Sequence, residues 1–343
     1  MGGGDLGTVY TLSAAGGSAW TLLDWGAAIV SVRIPVEREG GRKDGSQGEA
    51  ELAVGFSDYR LYKEGHPYFG STVGRVANRI AFGKFRIGSR TFTLDLNDGK
   101  HHLHGGVSGF SWKRWDSRVV PGSGGDAVRF ELDSPAEEGG YPGNLHAAVQ
   151  YELLDSWTLS IRLSAETDVP TPVNMTNHAY WNLSGEETIR SHTLQLFGSD
   201  YLETSPDLIP TGRRISAKGS PLDFSSPRLV GEMIESCGGC DVCFMRNPGK
   251  PGKALPAARV IHEETGRCLD VFSTQPGLQV YTGNFLDGTL AGRDGKPIRR
   301  YGGLCLEPQF PPDSPNRPEF PSIIIRPDAP FSEEIVYKVG YIH

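Results

Sequence analysis

The chain has 343 residues, 38% of them hydrophobic, and a net charge of −7 from 34 basic and 41 acidic residues. That content can bury a sizeable core, and the absence of a basic run excludes nucleic acid and anionic membrane surfaces as partners. No apolar run approaches the ~18 residues of a membrane span, and MGGGDLGTVYTL has neither a secretory pattern nor a myristoylation signal, so a cytoplasmic protein is expected.

In chain order, alternating apolar residues predict strands at 20–23, 27–34 and 51–55, then a short helix at 57–63 with Ser57 as cap. KFRIGSRTFTLDL predicts a hairpin, with Phe85 and Ile87 before a Gly88-Ser89 turn and Phe92, Leu94 and Leu96 after it. A strand at 127–132 precedes the clearest signal in the chain. There Leu145, Ala147, Val149, Tyr151 and Leu153 share one face, and after Asp155-Ser156 so do Trp157, Leu159, Ile161, Leu163 and Ala165. Such a hairpin lays one face on a core. Further strands are expected at 193–197, 259–263, 268–273, 278–282, 303–307, 322–326 and 333–339, and a helix at 228–235. The polar stretches 37–49 and 247–256 read as surface loops. Gly (45) and Pro (24) are dispersed as turn residues, and neither a repeat nor a composition break divides the chain. The expected fold is all-β: one domain over residues 1–343, a large antiparallel β-sandwich with a few short helices.

Several polar segments do not fit a core. TPVNMTNHAYWNLSG (171–185) is strand-like, yet it carries Asn174, Asn177, His178 and Asn182. Buried amides need partners. The segment also contains two glycosylation sequons, which read as coincidence in a buried stretch. GRVANRI (74–80) offers Arg79, which a carboxylate could simply pair. HHLHGG (101–106) reads either as a solvated turn or as a ligand cluster. Glu307 ends an apolar strand, where a carboxylate is either ion-paired or functional. CGGCDVC spaces Cys237, Cys240 and Cys243 like part of an iron–sulfur run or half of a zinc site. The remaining ligands of either pattern are missing, so reduced, partly buried thiols are expected.

In combination, YFGSTVGRVANRIAFGKF, LHGGVSGF, EEGGYPGNL, TPVNMTNHAYWNLSG, STQPGLQVYTGNFLDG and LEPQFPPDSPNRPEFP make the chain resemble the aldose 1-epimerase (galactose mutarotase) family over roughly residues 20–340. The resemblance implies a sandwich with an open carbohydrate cleft, a small hexose as the partner, and neither metal nor organic cofactor. It also implies Glu307 as base, His178 as acid, and Asn78, Arg79, His104, Asp241 and Gln279 as sugar ligands. Anomer exchange removes the proton of the C1 hydroxyl while protonating the ring oxygen, so a base and an acid must flank one bond. On this view burial raises Glu307, while Glu307 and Asp241 hold His178 protonated.

The sequence departs from the family pattern in three places. Val242 stands where a histidine is common. EEGG carries an extra glycine. Pro311 replaces an aromatic, leaving Trp181, Tyr281, Phe285 or Phe310 to stack on the sugar. Alternative readings are a hexose-6-phosphate epimerase using Arg213 and Arg214, a retaining glycosidase using Asp241 and Glu307, or a non-catalytic sugar-binding protein. A monomer is expected.

Overall fold

The computed structural model describes residues 6–36, 48–246 and 252–342. The period-two segments assemble into antiparallel sheets. The largest has nine strands, in the order Asp116–Pro121, Asp126–Ser134, Leu145–Leu153, Thr158–Thr167, Phe331–Tyr341, Arg267–Ser273, Leu255–His262, Thr193–Leu196 and Arg228–Leu229. The expected hairpin lies inside it, with Val149 opposite Leu163 and Tyr151 opposite Ile161. A second sheet of six strands runs Tyr180–Trp181, Leu304–Gln309, Gly277–Tyr281, Asp241–Met245, Asp200–Thr204 and Pro210–Ser216. A four-stranded sheet covers Val9–Ser13, Ala19–Leu23, Ala28–Val36 and Gly48–Glu51.

The core lies between these sheets. Val149, Ile161, Leu163, Leu269 and Tyr337 of the large sheet pack in one cluster with Leu304, Leu306, Leu278, Val280 and Phe244 of the six-stranded sheet. Each such burial is worth about 1.5–3 kcal/mol before entropy is charged. Because successive side chains alternate across a strand, the same packing fixes what the six-stranded sheet presents on its other face: Cys305, Glu307, Gln279, Tyr281 and Asp241. The core thus positions the site.

Most expected strands are present within a residue or two, and the sandwich class stands. The differences are local. The first helix is a 3-10 turn at Tyr59–Lys63, capped by Asp58, whose side chain accepts from the Arg60 N–H at 3.0 Å, and not by Ser57. The α-helix spans Val230–Cys237, two residues later than expected, because Arg228–Leu229 pair with Thr193–Leu194. The strand expected at 51–55 is instead Gly48–Glu51. The strands Val9–Ser13, Asp116–Pro121, Asp200–Thr204, Pro210–Ser216 and Asp241–Met245 escaped the sequence pattern, being polar-rich or short. Of the expected loops 37–49 and 247–256, residues 37–47 and 247–251 lie outside the described residues, while 48–49 and 255–256 belong to the strands Gly48–Glu51 and Leu255–His262. Among the described residues no helix is long and apolar enough to cross a membrane.

Candidate active site

Strand register gathers the site. Gln279 lies opposite both Glu307 and Cys243, while Tyr281 lies opposite both Asp241 and Cys305. Tyr180 faces Cys305 from the other side. One face of the sheet therefore carries two adjacent rows of polar and aromatic side chains.

His178 enters above these rows. Its backbone is fixed on both sides: its N–H donates to Ser71 O at 2.9 Å, and its carbonyl accepts from Gly70 N–H at 3.0 Å. Its Nε2 sits 3.6 Å from Glu307 Oε1, and its Nδ1 lies 3.6 Å from Cys305 Sγ. The Tyr68 ring stacks against it with centroids 5.7 Å apart. The neighbouring asparagines serve the main chain. Asn174 exchanges two hydrogen bonds with the Phe310 backbone, Asn177 donates to Gly70 O, and Asn182 donates to Glu186 O and Gly302 O. They are the frame of the segment. Asn174 and Asn182 are buried, so the two sequons do not present an accessible amide.

The expected sugar ligands meet on the same floor. Gln279 Nε2 donates to Asp241 Oδ1 at 2.7 Å. Asn78, Arg79, Asp241 and Gln279 line one narrow recess with Pro312. Arg79 Nε donates to Asp98 Oδ2 at 2.7 Å, which orients the guanidinium. The Asn78 N–H donates to His104 Nδ1 at 3.2 Å, and the His104 and His178 rings stand 5.3 Å apart. Tyr68, Asn78 and His104 all have positive φ, at 60°, 62° and 52°. Strain of this kind costs on the order of 1–3 kcal/mol and gathers at functional sites. The glycine after His104 has a packing reason: a Cβ on Gly105 would fall 1.8 Å from Gly74 O.

Burial dominates the electrostatics. It pushes Glu307 well above the usual carboxylate range, with Asp241 adding to the rise. Burial also raises Asp241. It pushes His178 down to about 3, and His104 well below its ordinary value. The expectation that Glu307 and Asp241 keep His178 charged is therefore overturned, because desolvation of the imidazolium, with His66 adding to it, prevails. In the free site the pair favours a protonated carboxyl beside a neutral imidazole.

Other expectations are redirected. His101 and His102 are buried and not a solvated turn: His101 Nδ1 accepts from Phe82 N–H, and His102 bonds the Tyr141 hydroxyl at 2.8 Å. Cys237 is exposed, while Cys240 packs in the main core and Cys243 in a separate cluster, so the three diverge. Trp181 is fully buried against Trp20, and Phe310 packs toward the core, which leaves Tyr281 and Phe285 as the aromatics available to a sugar. Val242 is half-buried against the core opposite Val280, and it also borders the recess of Asn78, Arg79 and Gln279. Arg213 and Arg214 are exposed on the outermost strand, and Arg213 pairs with Glu203 at 3.3 Å.

Sequence reasoning missed Tyr68, Asp98 and Cys305. Tyr68 lay inside a quoted motif, but nothing in its spacing marks a ring that meets both His104 and His178. A groove of about 420 Å³ continues outward from Tyr68 past Trp112 to Phe285. A hollow of about 900 Å³ lies elsewhere, around Trp157, Arg259 and Lys338. None of the expected site residues lines it.

Comparison with known proteins identifies the family. The family pattern described as aldose 1-epimerase matches residues 8–338. Galactose mutarotase of Mus musculus is 38% identical over 321 residues, covering 92% of this chain and 90% of its own. Aldose 1-epimerase of Escherichia coli K12 is 37% identical over 339 residues, with 96% and 94% coverage. Among solved structures, a GalM/aldose epimerase homologue from C. elegans superposes with a TM-score of 0.87 at 28% identity, covering 98% of this chain and all of that one. Galactose 1-epimerase from Lactobacillus acidophilus gives 0.83 at 28% identity, with 98% and 95% coverage.

Proposed function

The chain belongs to the aldose 1-epimerase family and is an isomerase of the mutarotase type, and from that premise we propose that its substrates are free hexoses such as galactose and glucose. Glu307 and His178 carry the reaction in this reading, while Asn78, Arg79, His104, Asp241 and Gln279 bind the sugar. The observation that supports it is the 3.6 Å approach of His178 Nε2 to Glu307 Oε1 on a buried floor beside those ligands.

The site needs one mobile proton shared by the pair. In the reactive arrangement Glu307 is ionised and His178 carries the proton on Nε2. Glu307 removes the C1 hydroxyl proton as the C1–O5 bond breaks, and His178 protonates the departing ring oxygen. The product is the open aldehyde, with the proton now on Glu307 and His178 neutral. Rotation about C1–C2 presents the other carbonyl face, and the reverse transfers close the ring as the opposite anomer. Because ring closure is ring opening run backwards, the groups must exchange roles, which two buried groups sharing one proton can do once the bound sugar offsets their opposed preferences. Sugar hydroxyls hydrogen-bonded to the charged pair offset the burial that disfavours it in the free protein.

We read residues 1–343 as one such domain, a cytoplasmic monomer acting on a small molecule without a cofactor. The match over residues 8–338 supports the first point. Five unpaired thiols, four of them buried, support a reducing compartment. Polarimetry of freshly dissolved α-galactose and α-glucose tests the function: the rotation should reach equilibrium faster than in buffer, in proportion to enzyme. Sugar binding without acceleration would refute it in favour of a non-catalytic binding protein.

A further inference from the structure

We propose that the floor of the site is also a binding place for Zn²⁺, held by His178, Cys305 and Glu307, and that its occupancy reversibly switches the enzyme off. The proposal rests on the reading of His178 and Glu307 as the acid and base, since it makes the metal compete for those groups.

The ligand atoms are already gathered. Among the described residues, one ligand atom from each of His178, Cys305 and Glu307 lies within 4.8 Å of the other two, and all three residues are buried. Imidazole, thiolate and carboxylate together form a donor set that zinc favours. The sharpest point is the His178 Nδ1 to Cys305 Sγ distance of 3.6 Å. Tetrahedral zinc with bonds of about 2.0–2.1 Å to nitrogen and about 2.3 Å to sulfur sets those two ligands about 3.6 Å apart. Those two atoms already stand at ligand separation, whereas Glu307 Oε1 approaches the other ring nitrogen, Nε2, at 3.6 Å.

The carboxylate must close in from the 4.8 Å that bounds the three ligand atoms, shifting away from Nε2. Glu307 Oε2 is buried with no hydrogen-bond partner, a costly state that a cation would relieve. Charge also balances, because a thiolate and a carboxylate neutralise a divalent ion on a floor that tolerates little net charge. The protons of Cys305 and Glu307 leave to solvent as the metal enters. Three protein ligands leave a fourth position toward the cleft, available to water or to a sugar hydroxyl. With zinc bound, His178 and Glu307 hold the metal and can no longer exchange a proton with the hexose.

Titration of metal-stripped protein with Zn²⁺ tests this. One ion per chain should bind, mutarotation should stop, and a chelator should restore it. Replacing zinc by Co²⁺ should produce a thiolate-to-cobalt charge-transfer band. Cys305→Ser should abolish that band and weaken zinc inhibition about a hundredfold or more, since even outer partners of a metal ligand are worth about 10–100-fold. Circular dichroism establishes that the variant is folded, and Cys305→Ala serves if it is not. Equal zinc inhibition of wild type and Cys305 variants would overturn the proposal, as would a cobalt band lost in Cys237→Ser but kept in Cys305→Ser. A Cys305-dependent cobalt band in a protein without mutarotase activity would uphold the metal site and refute the catalytic reading alone.

Discussion

His178 Nε2 and Glu307 Oε1 stand 3.6 Å apart with both side chains almost wholly buried, although Glu307 lies within the strand Leu304–Gln309 and His178 between the short strands Thr176–Asn177 and Tyr180–Trp181. Two groups that can each take or give a proton, held at this spacing away from bulk water, form the centre of the proposed reaction. Replacing either removes one of the two transfers. Glu307→Gln and His178→Asn should each lower kcat by about 10²–10⁴, with near-native circular dichroism. Polarimetric progress curves at saturating hexose measure it. Turnover within a few fold of wild type in either variant would remove that residue from its role.

Arg79 reaches the recess with its Nε pinned by Asp98 at 2.7 Å, and the Arg79 side chain is only 12% exposed. Arg79→Ala removes both a proposed sugar ligand and the partner of a partly buried carboxylate. The expected loss is about 1.5–3 kcal/mol, or about ten- to hundredfold in kcat/KM. Asp98→Asn leaves the guanidinium in place with a neutral acceptor, so it should raise KM several fold and change kcat less. Steady-state kinetics of the pair checks the ordering. An Asp98→Asn effect confined to kcat would contradict a positioning role.

The sandwich was legible because burial of one strand face imposes a period of two, and Leu145–Leu153 with Thr158–Thr167 obey it without interruption. The polar residues of the site were legible as exceptions to that period, Glu307 ending an apolar strand and His178 interrupting another. What the sequence could not reveal is which side chains meet across strands. Cys305 has the same local surroundings as any core cysteine, and only the register opposite Tyr180 and Tyr281 sets it beside His178. The charge state was misjudged for a related reason. Counting nearby carboxylates ignores how completely the fold dehydrates the imidazole, and that term prevails.

Val242 follows from the same alternation. Its neighbour Asp241 faces the recess, so Val242 turns mainly toward the core opposite Val280, half-buried there while still bordering the recess. A histidine here would bury a polar ring against apolar neighbours. Val242→His should therefore cost about 1–3 kcal/mol of stability, with little change in the preference among aldoses. Urea unfolding and a substrate panel separate the two effects. A large change in galactose-to-glucose preference at unchanged stability would show that position 242 reaches the sugar.

His192 gives a test of burial away from the chemistry. It is fully buried, its Nε2 accepts from Leu183 N–H at 2.8 Å, and burial, reinforced by His262, depresses it to about 3. An unfolded chain protonates histidine near pH 6.5. Above that value neither state binds the proton, and the stabilising effect of the depressed value is complete. As pH falls from about 6.5 toward 3, the unfolded state takes up a proton that folded His192 refuses, so stability is lost. The slope is up to about 1.4 kcal/mol per pH unit for this one group. His178 and His66, depressed to about 3 and about 4, act in the same direction, whereas the raised Glu307 acts oppositely above pH 4.5. His192→Gln retains an acceptor for Leu183 but does not titrate. Its unfolding free energy should begin lower at pH 7 and then fall less steeply than wild type between pH 6.5 and 4.5. Urea unfolding curves at several pH values give both slopes, and parallel slopes would mean that His192 is not held neutral by the fold.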